Sequence, residues 1–200
     1  MRSLRFVLFM LGAAAFAMPL AARADSITLQ QSYLGNTNVS GNAGTSAPGF
    51  GSGAWQSPAN GTKSESYIPT NLLFGTRTVT VADIASVSYW TNKSGTTESV
   101  DWTFYMYTNA SRLNAEPYFT QTPTASVTAN TWHQWSSNDA ANPLKFYDAA
   151  RSGTFGTYTD PTLTALQEGS VTWGNGVSHD YSGETINFFS LQTGSGWAGG

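Results

Sequence analysis

Twelve carboxylates and two histidines are the side chains that bring acid–base or metal chemistry within reach of this chain, and their spacing limits what they can do. Hydrolysis of a glycosidic bond needs two carboxyl groups roughly 5 to 10 Å apart, one on each side of the bond. Acids two positions apart on one strand share a face and meet that need locally. No two acids in the chain have this separation, so a catalytic pair must converge from different strands, with Asp101, Glu116 and Asp148 as the candidates. The competing expectation for each is an ordinary solvated or turn-bonded carboxylate. His133 lies in an aromatic run and His179 stands beside Asp180 in a turn-rich segment. No His-Glu-x-x-His spacing joins them, and no histidine metal site is expected. Nucleophile-elbow and phosphate-loop glycine motifs are absent as well, which removes the usual signatures of acyl and phosphoryl transfer.

Binding chemistry is better represented. Aromatic faces stack on the C–H surfaces of sugar rings while Asp, Asn and Gln bond the hydroxyls. Two-residue alternation over residues 99–108 places Asp101, Tyr105 and Tyr107 on one face of a strand, with Thr103, and Val100, Trp102, Phe104 and Met106 on the other. Tyr89 and Trp135 are expected on neighbouring strands, completing a five-residue ligand-binding set. The plain alternative is cross-strand packing of tyrosines on a solvated sheet.

The elements that must position these residues are short strands separated by turns. Residues 26–30, 65–68, 78–81, 86–91, 131–135, 170–173 and 185–192 read as strands, with 113–119, 144–147 and 154–158 weaker. A turn signal at residues 92–95 joins 86–91 to the 99–108 strand as a predicted hairpin at the centre of a sheet. Asp160 as N-cap, Pro161 in the first turn and Gly169 as stop frame one helix, with Leu163 and Leu166 on its docking face. Thr80 and Asp83 have capping-box spacing. Residues 35–61 form a long Gly-, Asn- and Ser-rich loop, expected to be pinned to the surface by Phe50 and Trp55.

Arg2 and Arg5, an apolar run from Phe6 to Met18 and a small-x-small sequence ending at Ala24 predict a cleaved signal peptide over residues 1–24. The remaining 176 residues suit a single domain, residues 25–200. The expected location is therefore secreted or on the cell surface, with no membrane span after cleavage. All 12 acidic residues follow Ala24, whereas three of the nine basic ones precede it, so six basic residues face 12 acids and the mature charge is −6. That balance argues against a nucleic-acid partner, since no basic stripe is present to displace counterions. With no cysteine, there are no disulfides and no thiolate chemistry. The chain closes on a loop-like stretch, residues 193–200, and is expected to lack a final strand.

Residues 65–75 (Glu-Ser-Tyr-Ile-Pro-Thr-Asn-Leu-Leu-Phe-Gly), 87–93 (Val-Ser-Tyr-Trp-Thr-Asn-Lys) and 132–135 (Trp-His-Gln-Trp) resemble exported bacterial proteins with a concanavalin A-like, LamG-like jelly-roll domain, some of which carry a PEP-CTERM sorting tail. This chain has no such tail. The resemblance implies a two-sheet antiparallel β-sandwich of jelly-roll type, and the Asp- and Asn-containing loops 138–142 and 180–184 as possible holders of a structural calcium; no other cofactor is expected. The glutamate–aspartate motif of laminarinase-type glucanases within this fold is missing. The resulting expectation is an all-β, exported, non-catalytic carbohydrate-binding or extracellular-matrix protein, whose partner is a polysaccharide or cell-surface glycan. A polysaccharide hydrolase or lyase and a structural surface protein without a ligand are the alternatives.

Overall fold

The computed structural model describes residues 40–41, 46–49, 54–56, 64–92, 102–115, 128–152 and 159–193. The predicted signal peptide, the strand at 26–30, the strand at 154–158, Phe50, Asp101 and Glu116 lie outside these residues. The described part is all-β, with antiparallel pairing throughout and two short helices. In chain order the elements are β1 (Ser40–Gly41), β2 (Trp55–Gln56), β3 (Glu65–Pro69), α1 (Thr70–Phe74), a 3-10 turn (Val81–Asp83), β4 (Ser88–Asn92), β5 (Thr103–Thr108), β6 (Arg112–Ala115), β7 (Trp132–Ser136), β8 (Tyr147–Asp148), α2 (Leu163–Glu168), β9 (Ser170–Thr172), β10 (Ser178–Asp180) and β11 (Ile186–Gln192).

A five-stranded sheet in the order β3-β11-β5-β6-β8 organises the rest. The strongly alternating strand, β5, takes its middle position, as the pattern predicts. Pro69, which cannot donate to a ladder, ends the edge strand β3. β11 runs between two partners, which accounts for its apolar residues on both faces. One irregularity interrupts the β11–β5 ladder between Ile186 and Phe188. This bulge lets Ile186 enter the core while Phe188 stands on the opposite face.

The predicted hairpin of residues 86–108 does not form. β4 pairs with β7 in a separate two-stranded sheet, and β5 belongs to the five-stranded one. Burial explains the preference. Tyr89 and Thr91 on β4 and Trp135 on β7 form a fully inward face, with the Trp135 indole N–H donating to Thr91 Oγ1 at 2.8 Å. The Tyr89 hydroxyl donates to the Trp102 carbonyl at 2.9 Å, and its ring lies 6.3 Å from that of Phe104. The two sheets thus share a single core, in which Met106 and Leu113 are fully buried and each contributes on the order of 1.5–3 kcal/mol.

The helix of residues 160–169 starts later than its capping pattern suggests. The N-cap of α2 is Thr162, whose hydroxyl accepts from the Ala165 N–H at 3.3 Å. Pro161 is held instead by the Phe146 N–H, which donates to its carbonyl at 2.8 Å, and Thr162 bridges to Lys145. That extended pairing keeps residues 161–162 out of helical geometry. Gly169 stops the helix with a φ of 150°, and Leu163 and Leu166 dock it on the core as expected. At the 3-10 turn, the Asp83 carboxylate accepts from the Thr80 N–H and hydroxyl, both at 2.9 Å, so the box predicted at this position is formed by Asp reaching back. Residues 78–81 are otherwise not a strand. Residues 178–180, read as turn, form β10 against β9. Among the described residues no helix is long and apolar enough to cross a membrane.

Candidate functional site

Strand register arranges the non-core face of the five-stranded sheet into rows. Pro69, Phe188, Tyr107 and Arg112 lie across β3, β11, β5 and β6; beside them run Tyr67, Ser190, Tyr105, Asn114 and Tyr147, then Glu65, Gln192 and Thr103. Tyr105 and Tyr107, singled out from the alternation, therefore share a face as predicted. Both are half-buried, and their rings stack at 5.8 Å. The face extends further than the alternation of one strand reveals. Tyr107 stacks on Phe188 at 4.5 Å, and Tyr67 meets Phe188 edge-on at 5.5 Å and Tyr107 at 6.0 Å. The exposed guanidinium of Arg112 lies 5.9 Å from the Tyr105 ring centre, within cation–π range.

Polar groups are interleaved with these rings. The Gln192 carboxamide donates to the Tyr107 hydroxyl at 3.0 Å and to Ser190 Oγ at 2.9 Å. Burial, then the neighbouring Tyr107 and the Glu65 carboxylate, push the Tyr67 phenol up to about 12, so it stays a neutral donor. Thr103, Ser190 and Gln192 are buried, as is Tyr147, whose ring belongs to the hydrophobic core, and the expectation of an open, solvated face holds only around Tyr67, Phe188, Tyr107, Tyr105 and Arg112. Asn114 is 1% exposed, and its carboxamide oxygen has no hydrogen-bond partner.

The remaining predicted site residues fall elsewhere. Tyr89 and Trp135 are buried between the sheets, on β4 and β7, and the structure does not bring them to the Tyr105–Tyr107 face. Asp101 lies outside the described residues, as does Glu116. Asp148 is fully buried at the end of β8. Its Oδ2 accepts from Arg151 at 2.5 Å and from the Tyr181 hydroxyl at 3.2 Å, and its Oδ1 from the Ala150 N–H at 2.9 Å.

Asp148 belongs to a second cluster, built from three turns far apart in sequence. Arg151 also donates to Ser111 Oγ at 2.7 Å, and Ser111 donates to Glu184 Oε1 at 2.7 Å. His179 Nε2 bonds the same oxygen at 2.5 Å, while Thr108 holds Glu184 Oε2. The Trp173 indole donates to the Tyr181 hydroxyl at 3.0 Å, and the His179 and Tyr181 rings meet edge to face at 4.6 Å. Burial pulls the Arg151 guanidinium down, but the Asp148 carboxylate overcomes this and leaves it above its ordinary value. Burial and the same carboxylate push the Tyr181 phenol up. Both carboxylates here have their oxygens occupied by protein donors.

A groove of about 730 Å³ lies between α2 and the β9–β10 hairpin, lined among others by Asp160, Ala165, Ser170, Thr172 and Trp173. Asp148, Glu184 and His179 do not line it, so the buried acids do not open into it. Of the loops considered for calcium, Asp139 Oδ1 accepts the Ala141 and Asn142 N–H groups at 2.9 and 3.1 Å, and Asp180 Oδ1 accepts from the Ser182 N–H and hydroxyl at 2.9 and 2.7 Å. The Ser182 bonds hold Asp180 below the usual carboxylate range. His133 stacks on Trp135 at 4.2 Å, and His179 is committed to Glu184. Among the described residues no three His, Asp or Glu side chains gather as a metal set.

Sequence reasoning missed Tyr67, Phe188, Arg112 and Asn114 on the aromatic face. Alternation in β3, β6 and β11 carries their phase, but only the strand order puts them beside β5. No family model, curated protein or solved structure matches this chain.

Proposed function

We propose that this chain is an exported, non-catalytic carbohydrate-binding protein of concanavalin A-like, jelly-roll architecture, and that the non-core face of its five-stranded sheet is the glycan platform. The observation that carries the reading is the contiguous row of half-buried rings, Tyr67, Phe188, Tyr107 and Tyr105, drawn from three adjacent strands. A sugar ring presents an apolar C–H surface and a rim of hydroxyls. Stacked phenols, with the Tyr107 hydroxyl tied to Gln192, match both halves of that chemistry. The rings brace one another at 4.5 to 6.0 Å, so the platform is organised before a ligand arrives and little ordering cost remains.

Pull-down on insoluble polysaccharides, with release of reducing ends measured on every hit, tests the reading. Retention of the wild type, loss in Tyr107→Ala, and no sugar release are the expected results. Sugar release would move the protein to the polysaccharide-degrading enzymes, and no retention of a folded sample on any glycan would leave a structural surface role.

A further inference from the structure

Among the described residues the aromatic face carries one cation, Arg112, with no carboxylate partner. Three arginines lie among the described residues at or near functional clusters. Arg77 pairs with Asp83 at 3.2 Å and Arg151 with Asp148 at 2.5 Å. Arg112 alone of the three has no carboxylate partner among the described residues; it lies over the Tyr105 ring. It is exposed, and register sets it directly across from Tyr107. A guanidinium lying over an aromatic ring keeps its in-plane N–H fork open, and that planar fork matches a carboxylate in bidentate geometry.

The face thus offers a ring-stacking surface and, among the described residues, a guanidinium fork with no carboxylate partner on the adjacent strand.

We infer that the platform selects acidic glycans, and specifically uronate-containing ones, with Tyr105 and Tyr107 under the sugar ring and Arg112 taking the carboxylate. The inference rests on the carbohydrate-binding reading and narrows it to a substrate class. The charge of the rest of the molecule sharpens the selection. Beyond Ala24 the chain is net negative, so polyanions are repelled in general and are held only where a fixed cation faces them.

The test compares retention of the purified protein on de-esterified polygalacturonate, its fully methyl-esterified form, a neutral galactan and dextran sulfate. Wild type is expected to bind the free uronate about ten- to a hundredfold tighter than the methyl ester, as for loss of a charge-assisted pair. Arg112→Gln should remove that difference, and Arg112→Lys should restore only part of it. Because Arg112 is exposed, neither variant threatens folding, which circular dichroism would verify. Equal binding of ester and free acid, or of dextran sulfate and uronate, overturns the inference while the glycan reading stands. Failure on all four polymers together with failure on a broad neutral panel overturns the glycan reading itself.

Discussion

The two polar clusters of this molecule adjoin along the same strands, one at the β5–β6 turn and the other on the non-core face beside it, and are built on opposite rules. At the β5–β6 turn, Thr108 and Ser111 join Asp148, Arg151, His179, Tyr181 and Glu184 in a buried network whose carboxylate oxygens all have protein donors. On the non-core face of β5 and β6, Tyr105, Tyr107 and Arg112 are half-buried or exposed, and among the described residues Arg112 has no carboxylate partner. The first arrangement has the richer chemistry by residue type, yet its donors and acceptors are consumed internally. The second turns its aromatic rings and Arg112 outward. A cluster that satisfies itself holds the fold together; one left partly unsatisfied at the surface is where a ligand is needed.

The comparison breaks most visibly if the network proves dispensable. Asp148→Ala leaves the partly buried Arg151 guanidinium without its closest counter-charge, and Glu184→Ala strands the Ser111, Thr108 and His179 groups. The first should lower stability by about 3–5 kcal/mol, the usual cost of removing one partner of a buried ion pair, and the second by about 1–3 kcal/mol for each buried group left unpaired. Denaturant unfolding followed by tryptophan fluorescence measures this, since Trp173 bonds the network through Tyr181. A stable Asp148→Asn protein that lost a polysaccharide-cleaving activity would reverse the assignment and make the network catalytic.

The aromatic face should respond in the opposite sense. Tyr107→Ala removes stacking on Phe188 and Tyr105 together with the Gln192 bond. About 1–2 kcal/mol of stability is expected to go, from partial burial and ring stacking, while glycan retention falls to background. Tyr67→Phe is gentler. It keeps the ring and removes a phenol pushed up to about 12, so the alkaline absorbance titration should lose one of its two late-ionising tyrosines, Tyr181 being the other, with little change in melting temperature. Loss of the early-ionising signal instead would place Tyr67 in solvent, outside the stacked row.

How much of this was legible beforehand follows from the range of each interaction. Alternation is local, so the two faces of β5, and with them Tyr105 and Tyr107, were readable from ten residues. The bulge that reverses the facing of neighbouring side chains falls in β11 and left those assignments intact. Partner choice is not local. The turn at residues 92–95 suggested that β4 and β5 pair, but Tyr89 and Trp135 bury more by pairing β4 with β7, and that preference depends on a strand forty residues away. The network is further still from any pattern. Ser111, Asp148, Arg151 and Glu184 come from three separate turns, each acceptable alone as a solvated polar residue, and only the fold makes them neighbours. The Asp160 cap misled for the same reason: Phe146, far in sequence, claims the Pro161 carbonyl and delays the helix.

Acid titration provides the finest distinction between a satisfied and an open carboxylate. The Thr80 N–H and hydroxyl, helped by Arg77, hold Asp83 below the usual carboxylate range, although the group is partly exposed. Because the folded state prefers the ionised form more than the unfolded chain does, this contribution is fully present above the ordinary aspartate range, near pH 4. It fades as pH falls through the lowered folded value. Asp83→Asn should therefore be slightly less stable than wild type at pH 7, with the gap closing on acidification. His133 acts in the same direction by a different cause: burial lowers its pKa against the opposing pull of Asp139, so protonation below about pH 6.5 costs the folded state stability. His133→Gln should flatten the melting-temperature profile between pH 7 and 5 without touching glycan retention, since β7 lies in the other sheet. A His133→Gln variant that keeps the full wild-type slope there would overturn the assignment of that acid sensitivity to His133.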